Sequence, residues 1–229
     1  MSGFPFDIVG FDLDGTLLDT HRDLAAAVNH ALVLEGRAPI EPERVRDLIG
    51  GGARKMLARA LDVTGGALDP ARFEELHEVL LGYYEKNIVV ETCLFPGGEA
   101  MLDELAERGV QLAVVTNKLE RFARQILDGL GLTHRFFTVI GGDTLGPGRA
   151  KPNPDLIELM LSRGPSGRAV YVGDTTYDTR AATSAGLPCV VVGFGFNDAP
   201  VDELGGTRVI GHFNELVPTL TAMGPVQGS

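Results

Sequence analysis

Residues 8–16 read Ile-Val-Gly-Phe-Asp-Leu-Asp-Gly-Thr, an apolar run that ends in two aspartates, Asp12 and Asp14. The apolar residues Ile8 to Phe11 predict a buried strand, along which side chains alternate between two faces. Gly15 lets the chain turn directly after the strand and re-aim the second carboxylate, so both acids approach one point. A surface turn alone would explain the glycine but not the apolar strand before it. Two acids at the carboxyl end of a strand suit a magnesium-dependent covalent mechanism, in which one attacks and the other moves protons.

The composition is typical of a globular protein: 229 residues, of which 44% are hydrophobic and 22% charged. This length fits one large domain or two small ones, and it is sufficient to bury a core. The net charge of −11 argues against nucleic acid as a partner, because no excess of Lys or Arg is present to neutralise phosphates. It also argues against binding to a membrane surface.

The sequence predicts a cytoplasmic protein. No stretch reaches 18 uninterrupted apolar residues, and the amino terminus lacks the basic start and apolar run of a signal peptide. The two cysteines, Cys93 and Cys189, lie far apart among apolar or small residues. We interpret them as buried thiols in a reducing compartment rather than as a disulfide.

Between residues 20 and 90 the hydrophobic pattern is helical. Apolar residues recur at helical spacing in four stripes, which are Leu24-Val28-Ala31-Leu32, Val45-Leu48-Ile49, Met56-Leu57-Ala60-Leu61 and Phe73-Leu76-Leu80-Tyr83. Stretches rich in Gly and Pro at 36–42, 50–52 and 65–70 separate the stripes. The pattern predicts four helices with short connections, which form an all-helical unit.

From Phe95 onward the pattern alternates between strand and helix. It predicts strands at 111–115, 136–140, 169–172 and 189–192, with helices before residue 111, at 120–130 and at 153–161. Such alternation is typical of a parallel sheet covered by helices on both faces, and we expect strand 8–11 to join it. The predicted fold is α/β: a Rossmann-like catalytic core of residues 1–19 and 92–229, with an all-helical cap of residues 20–91 inserted after the first strand.

Polar residues follow each predicted strand, at the sheet edge where α/β proteins bind ligands. Besides the two aspartates, this edge receives Thr116-Asn117-Lys118, Gly173-Asp174 with Asp178, and Lys151-Pro152-Asn153-Pro154 at the start of a helix. Taken singly, Thr116 and Asp174 would be helix caps and Lys151 a solvated lysine. Together they supply what phosphoryl transfer needs: a nucleophile, a metal site, and cationic or N–H donors for the phosphate oxygens.

The order of these motifs resembles the haloacid dehalogenase superfamily, and within it the phosphoglycolate phosphatase-like group. The resemblance covers nearly the whole chain and rests on Asp12-Leu13-Asp14-Gly15-Thr16, Thr116, Lys151, and Gly173-Asp174 with Asp178. The runs Val115-Thr116-Asn117-Lys118 and Lys151-Pro152-x-Pro154 resemble that group in particular.

The resemblance implies a role for each of these residues. Asp12 would attack phosphorus and form an aspartyl-phosphate, and Asp14 would protonate the leaving alkoxide and then activate the hydrolytic water. Thr116 and the backbone N–H of Asn117 would bind the phosphate, while Lys151 would neutralise Asp12 and the phosphoryl oxygens. A carboxylate approaches a phosphate dianion only where cations offset the repulsion, so these roles agree with electrostatics.

The resemblance also implies that Mg²⁺ is the cofactor, held by Asp12, the Asp14 carbonyl and Asp174, with Asp178 as a ligand or in a supporting place. Dehalogenases of this superfamily lack the second acid, so the presence of Asp14 argues against hydrolysis of a carbon–halogen bond. The segment from Asn117 to Lys151 is too short for an additional domain. The helical unit is therefore the expected mobile cap, which closes over the site and excludes water.

One stretch of the cap is a candidate for substrate recognition. Residues 50–55 read Gly-Gly-Gly-Ala-Arg-Lys, a glycine loop that opens a helix. Free N–H groups near Gly51 and the charge of Arg54 or Lys55 suit an anion such as the carboxylate of 2-phosphoglycolate. A flexible hinge with solvated cations is an equal alternative. His21 either faces the site or lies on the surface, and Lys118 is a further candidate on the leaving-group side.

The sequence thus predicts a magnesium-dependent phosphatase for a small organic phosphate, with 2-phosphoglycolate as the first candidate and glycolate and phosphate as its products. Sugar phosphates, nucleotides and pyrophosphate remain open as substrates, because fold alone does not choose among them. A sugar phosphomutase would use the same aspartate pair, and an inactive binding protein is a third class. The partner is a small-molecule phosphate, and the chain would be a monomer or a homodimer.

Overall fold

The computed structural model describes residues 3–224. Its strands are β1 (Ile8–Phe11), β2 (Leu18–Asp19), β3 (Cys93–Leu94), β4 (Gln111–Val115), β5 (Phe136–Ile140), β6 (Ala169–Gly173), β7 (Cys189–Val192) and β8 (Arg208–Ile210). Six of them form a sheet in the order β5-β4-β1-β6-β7-β8, and every neighbouring pair in it is parallel. The α/β class predicted from the alternating pattern is confirmed.

Helices flank this sheet, and four further helices follow one another in the chain between β2 and β3. They are α1 (His21–Leu34), α2 (Pro42–Val45), α3 (Ala53–Thr64), α4 (Pro70–Lys86), α5 (Gly98–Glu107), α6 (Glu120–Gly129), α7 (Asp155–Arg163), α8 (Thr176–Ser184) and α9 (Leu216–Ala222). The first four helices lie between β2 and β3 in the chain, and we call them the cap helices. The helix predicted over 153–161 begins two residues later, at Asp155, because Pro154 is its N-cap residue.

The register of the central strands determines where the candidate residues lie. Phe11, the last residue of β1, is paired with Val114 on one side and with Val172 on the other. The carboxyl ends of β4, β1 and β6 therefore lie level at one edge. Asp12 and Thr116, which come directly after β1 and β4, meet at this edge as the sequence predicts.

Alternation along the strands divides the core into two layers. Val9 and Phe11 of β1 pack into the cluster that holds the apolar faces of α5, α6 and α9, whereas Ile8 packs into the cluster formed with α7 and α8. Both faces of the sheet are thus covered, which explains why its central strands are apolar throughout. The larger cluster continues into the cap helices through Leu24, Val28 and other residues.

Two short connections join the cap helices to the sheet. β2 and β3 pair antiparallel, with Leu18 opposite Leu94 and Asp19 opposite Cys93. The buried carboxylate of Asp23, in the first turn of α1, accepts hydrogen bonds from the backbone N–H groups of residues 90, 91 and 92. These bonds, of 3.0 Å each, fasten the second connection to the start of the first cap helix.

Some sequence expectations need correction. Tyr84 rather than Tyr83 completes the buried stripe of α4, because Leu76, Leu80 and Tyr84 are spaced four residues apart on one face. Cys93 is exposed, since β3 is a two-residue strand that pairs only with β2, whereas Cys189 is buried as expected. The stripe at 45–49 forms only the single turn of α2 and a following 3₁₀ turn, Arg46–Leu48.

The sequence analysis predicts no strand or helix beyond residue 192, where the structure has β8 and α9. The predicted division of the chain into core and cap stays a prediction, and residues 1–2 and 225–229 of the predicted core lie outside the described part. Within residues 3–224, no helix combines the length and the apolar character needed to cross a bilayer.

Candidate active site

The first strand delivers its two aspartates through a turn that only glycine allows. The backbone N–H of Asp12 donates to the carbonyl of Val172 (2.9 Å), which holds the residue against β6. Gly15 adopts a φ of +82°, and a side chain there would overlap the carboxylate of Asp174. The turn therefore brings Asp14 beside Asp12 at the edge of the sheet.

Lys151 lies at the centre of the site and is almost fully buried. Its Nζ lies 3.0 Å from Oδ1 of Asp12 and donates to Oδ1 of Asp178 (2.6 Å), the carbonyl of Val115 (3.1 Å) and the hydroxyl of Tyr171 (2.8 Å). Burial lowers the pKa of Lys151, but the charges of Asp12 and Asp178 outweigh burial and hold that pKa well above its usual value. The ammonium group is therefore a fixed positive charge beside the first aspartate.

The end of β4 positions that lysine. The side-chain amide of Asn117 donates to the carbonyl of Lys151 (2.9 Å) and accepts from its backbone N–H (2.8 Å). The backbone N–H of Thr116 donates to Ile140 (3.0 Å), and its hydroxyl accepts from the N–H of Lys118 (3.2 Å). Thr116 is therefore not a helix cap, since α6 begins only at Glu120. The sequence analysis assigned Asn117 a backbone role only and missed the contact of its side-chain amide with Lys151, which spans 34 residues.

Three buried carboxylates form a group that could hold a cation. Oxygens of Asp12, Asp174 and Asp178 all lie within 4.8 Å of one another. Burial raises the pKa of Asp12 to about 6, with Lys151 opposing the shift. Burial, followed by the charges of Asp178 and Asp12, raises the pKa of Asp174 well above its usual value. Within residues 3–224 the Lys151 ammonium group, at 3.0 Å, is the one positive partner of Oδ1 of Asp12, and that contact is not a hydrogen bond of normal geometry. Crowded carboxylate oxygens fit the hard oxygen coordination that Mg²⁺ requires.

Both oxygens of Asp174 and both oxygens of Asp178 accept hydrogen bonds, but from different donors. Asp174 accepts from the Thr16 hydroxyl (3.0 Å) and from the backbone N–H of Phe196 (2.7 Å). Oδ2 of Asp178 accepts from the N–H groups of Asp174 (3.2 Å) and Thr175 (3.0 Å) and from the Thr175 hydroxyl (2.6 Å), while its Oδ1 accepts from Lys151. This arrangement is a capping box that starts α8, so the N-cap is Thr175 rather than Asp174. Asp178 therefore positions Lys151 and the loop that carries Asp174.

Asp14 is paired with a second buried lysine. Nζ of Lys118 lies 2.8 and 2.9 Å from the two carboxylate oxygens of Asp14, and the Thr20 hydroxyl donates to Oδ1 (2.8 Å). Burial lowers the pKa of Lys118, but the charge of Asp14 and then Tyr84 more than compensate and raise that pKa. The structure thus places Lys118 beside the acid that the sequence assigns to the leaving group.

A cavity of about 470 Å³ opens over these residues. The core contributes its floor, and the cap helices contribute Gly50, Gly51, Gly52, Arg54, His77 and Tyr84 among its other walls. Lys55 of α3 donates to the hydroxyl of Tyr177 (3.1 Å), and Arg46 donates to the carbonyl of Phe194 (3.2 Å). These bonds hold the cap helices against the sheet edge, so the cavity is bounded on both sides.

The glycine loop lines the cavity, but its arginine has a partner. Gly51 has a φ of +75°, and a Cβ there would lie 2.7 Å from the Lys55 side chain. The guanidinium of Arg54 donates to both carboxylate oxygens of Glu74, at 2.5 and 2.6 Å. Both side chains of this pair are more than half exposed. The predicted substrate contacts of Gly51 and Arg54 stay predictions.

His21 lies neither in the cavity wall nor on the surface. It is 4% exposed, its Nδ1 is 2.5 Å from Asp19 of β2, and its Nε2 is 3.3 Å from Glu43 of α2. The surface position is therefore wrong, because the connection to the cap folds over His21. Its ring lies 6.2 Å from that of Phe196, which lines the cavity, so the histidine packs behind the cavity wall.

The sequence analysis missed two cavity residues, His77 and Tyr84 of α4. In the described part of the chain, neither the Nδ1 of His77 nor the hydroxyl of Tyr84 has a hydrogen-bond partner, although both atoms are buried. The signal that could have found them is their spacing of seven residues, which places both on one face of a helix with Leu80.

A parallel α/β sheet with a carboxylate pair, a buried lysine and a group of acids at one strand edge has the side chains that phosphoryl transfer needs. The chain belongs to the haloacid dehalogenase-like hydrolases, whose family model matches residues 9–192. It is 37% identical to the phosphoglycolate phosphatase of Agrobacterium fabrum over 92% of this chain and 90% of that protein.

Solved structures share the fold. The crystal structure of a predicted phosphoglycolate phosphatase from Haemophilus somnus 129pt superposes with a TM-score of 0.84 at 29% identity, covering 93% of this chain and 97% of that one. CbbY from Rhodobacter sphaeroides, solved as a mutant in complex with xylulose-1,5-bisphosphate, gives a TM-score of 0.73 at 26% identity and covers 92% and 96%. The resemblance found in the sequence motifs is confirmed.

Proposed function

We propose that this hydrolase is a magnesium-dependent phosphatase that converts 2-phosphoglycolate to glycolate and phosphate. The observation that carries the chemistry is the fixed pairing of each aspartate with its own buried lysine, Asp12 with Lys151 and Asp14 with Lys118. The two acids therefore have different partners and are suited to different roles. The choice of substrate is supported by the relatives named phosphoglycolate phosphatase.

The reaction has two steps at the phosphorus atom. Asp12 attacks phosphorus, the bond to the glycolate oxygen breaks, and Asp14 donates a proton to the leaving alkoxide. Asp14 then takes a proton from water, which attacks the aspartyl-phosphate and releases phosphate and free Asp12. Lys151 supports both steps, because its positive charge lies 3.0 Å from the attacking carboxylate.

The cation site would use Asp12, the Asp14 carbonyl and Asp174. Asp178 supports it, since its Oδ1 is paired with the Lys151 ammonium group (2.6 Å) and its Oδ2 holds the start of α8, whereas Asp174 accepts only from neutral donors. Mg²⁺, when bound, supplies positive charge that screens the phosphate from the carboxylates.

The phosphate would be held by Thr116, the backbone N–H of Asn117 and Lys151, which lie together at the ends of β4 and β1. The cap helices close the cavity from above, and we expect Gly51 and Arg54 of the glycine loop to contribute to its outer wall. Closure excludes water that would otherwise compete during the first step.

A phosphate-release assay tests this function. The panel contains 2-phosphoglycolate, sugar phosphates, nucleotides and pyrophosphate, each measured with Mg²⁺ and with EDTA. We expect the highest kcat/KM for 2-phosphoglycolate and loss of all turnover with EDTA. A higher kcat/KM for another compound would overturn the substrate. Release that persists in EDTA would overturn the cofactor, and a chain that turns over only once on every compound would be a mutase.

A sugar phosphate is the second candidate. CbbY, of similar fold, was solved with a sugar bisphosphate, and a cavity of about 470 Å³ has room for more than 2-phosphoglycolate alone. The same panel separates the two, because a sugar phosphate would then exceed 2-phosphoglycolate in kcat/KM. The cytoplasmic location and the choice between monomer and homodimer stay predictions of the sequence.

A further inference from the structure

The hydroxyl of Tyr84 is an unsatisfied donor in the wall of the cavity. Tyr84 is 1% exposed, and within residues 3–224 its oxygen makes no hydrogen bond of normal geometry, although the Lys118 ammonium group lies close enough to oppose the rise that burial causes in the pKa of Tyr84. A buried hydroxyl without a partner costs free energy, so such a group points to a ligand atom that completes it. Tyr84 belongs to α4 of the cap helices, whereas the catalytic aspartates belong to the core.

Lys118 offers a second donor at the same place. Its Nζ lies 4.7 Å from the centre of the Tyr84 ring. An ammonium group has three N–H donors, and Lys118 uses two directions for the two oxygens of Asp14. Within residues 3–224 the third donor reaches no further carboxylate or carbonyl, and the Tyr84 hydroxyl lies close enough to raise the pKa of Lys118. A substrate acceptor would therefore meet both groups.

The other cations of the cavity wall are already committed. Lys151 is surrounded by two carboxylates, a carbonyl and a hydroxyl, and Arg54 forms two hydrogen bonds with Glu74. Among the cavity residues in the described part of the chain, Lys118 is thus the cation with an unused N–H direction. A second substrate anion, in addition to the phosphate, would be attracted to it.

The position of Lys118 fits an acceptor on the leaving group. It contacts Asp14, the acid that protonates the departing oxygen, so it lies on the leaving-group side of the phosphorus atom. In 2-phosphoglycolate a single carbon separates the departing oxygen from the carboxylate. Lys118 Nζ lies 2.8 Å from Asp14. When the departing oxygen of the substrate contacts Asp14, Lys118 is therefore close enough to reach the substrate carboxylate.

We propose that Lys118 Nζ and Tyr84 Oη form an anion subsite for a carboxylate on the carbon next to the departing oxygen. The inference rests on the proposed phosphatase function and names the contacts that select its substrate. The subsite takes one donor from the core and one from a cap helix, so it is complete only when the cap helices lie against the sheet. Closure and recognition of the carboxylate are then one event.

The test compares two substrates that differ in the carboxylate alone. 2-Phosphoglycolate and ethyl phosphate are assayed by multiple-turnover phosphate release, and the ratio of their kcat/KM values is the readout. For Tyr84→Phe we expect kcat/KM to fall about 10-fold with 2-phosphoglycolate and to change less than about 2-fold with ethyl phosphate, since one hydrogen bond to a charged group is lost. For Lys118→Met we expect the ratio to fall by about 100-fold.

Matched controls are available on the same helix. Tyr83→Phe removes a hydroxyl from the neighbouring residue, whose ring stacks on His30, and Lys86→Met removes an exposed lysine from the end of α4. Both should leave the ratio unchanged. Thermal melting of each variant shows whether it is folded. Both kcat/KM values are measured on the same preparation, so the concentration of folded enzyme cancels in their ratio.

The outcomes separate the two proposals. If the unmodified enzyme prefers another phosphate of the panel, the proposed function fails and the subsite fails with it. If the enzyme prefers 2-phosphoglycolate but Tyr84→Phe and Lys118→Met leave the ratio of the two substrates unchanged, the function stands and the subsite is wrong. A fall in the ratio for both variants, with no fall in the controls, supports the subsite.

Discussion

Two buried lysines face the same cavity from the same edge of the sheet, but their surroundings differ. Lys151 has all its contacts within the core, with two carboxylates, a carbonyl and a tyrosine hydroxyl around it. Lys118 has one carboxylate, and the nearby hydroxyl of Tyr84 is unpaired in the described structure. The contacts of Lys151 on the nucleophile side are therefore complete before substrate binds, whereas those of Lys118 on the leaving-group side are not. A pre-organised reacting centre lowers the cost of reaching the transition state.

The largest effect is expected on the complete side, at Asp12. Asp12→Asn removes the nucleophile, because an amide does not attack phosphorus, and it also removes one negative partner of Lys151. We expect phosphate release to fall by about 10⁴-fold or more. The melting temperature at neutral pH should stay the same or rise, since burial raises the pKa of Asp12 to about 6 and its ionised form therefore disfavours the folded state, while Lys151 keeps Asp178 as a partner. Activity above one part in about a hundred of the unmodified enzyme would contradict the nucleophile role.

A smaller loss is expected at Asp178, which supports the reacting groups without attacking phosphorus. Asp178→Asn places an amide beside Lys151 and weakens the contact that positions its ammonium group (2.6 Å). We expect kcat to fall about 100-fold and the Mg²⁺ concentration for half-maximal rate to rise about 10-fold, as for other residues that orient a metal site. Magnesium titrations of initial rate measure both.

Asp198→Asn is the matched control for that substitution. Asp198 also accepts a backbone N–H and a hydroxyl at the start of α8, both from Thr176, but these bonds are exposed. Its substitution should leave the magnesium dependence unchanged. If the two variants shift that dependence equally, the effect belongs to the helix start and not to Lys151.

Asp23 tests the connection between the cap helices and the sheet, which brings Tyr84 to Lys118. Its buried carboxylate accepts three backbone N–H bonds and the Thr92 hydroxyl, and Asp23→Asn would set an amide N–H against these donors. We expect the free energy of unfolding to fall by about 1–3 kcal/mol, measured by denaturant titration. Asp62→Asn, at an exposed position of α3, should change it by less than about 0.5 kcal/mol. Equal losses would show that Asp23 does not fasten the connection.

The same contrast explains how much the sequence could predict. The parallel sheet follows from alternating strand and helix, and the place of Asp12 follows from a turn that Gly15 alone permits, so both are local properties, whereas the order of the strands was not predicted. The amide contact between Asn117 and Lys151 and the approach of Tyr84 to Lys118 both span more than 30 residues. Hydrophobic spacing predicted that one tyrosine of α4 is buried, but choosing Tyr84 over Tyr83 requires the packing of α4 against its neighbours. Contacts within one element were therefore predictable, and side-chain contacts between elements were not.

The smallest effect is expected at Arg54, in the outer wall of the cavity. Its guanidinium is paired with Glu74 and more than half exposed, and such surface pairs contribute at most about 1 kcal/mol. For Arg54→Met we therefore expect kcat/KM with 2-phosphoglycolate to fall less than about 3-fold, below the loss for Tyr84→Phe, because one exposed pair is lost. Glu74→Gln frees the arginine and is the companion variant. A fall of 10-fold or more for Arg54→Met, together with a gain for Glu74→Gln, would place the substrate carboxylate at the glycine loop and not at Lys118.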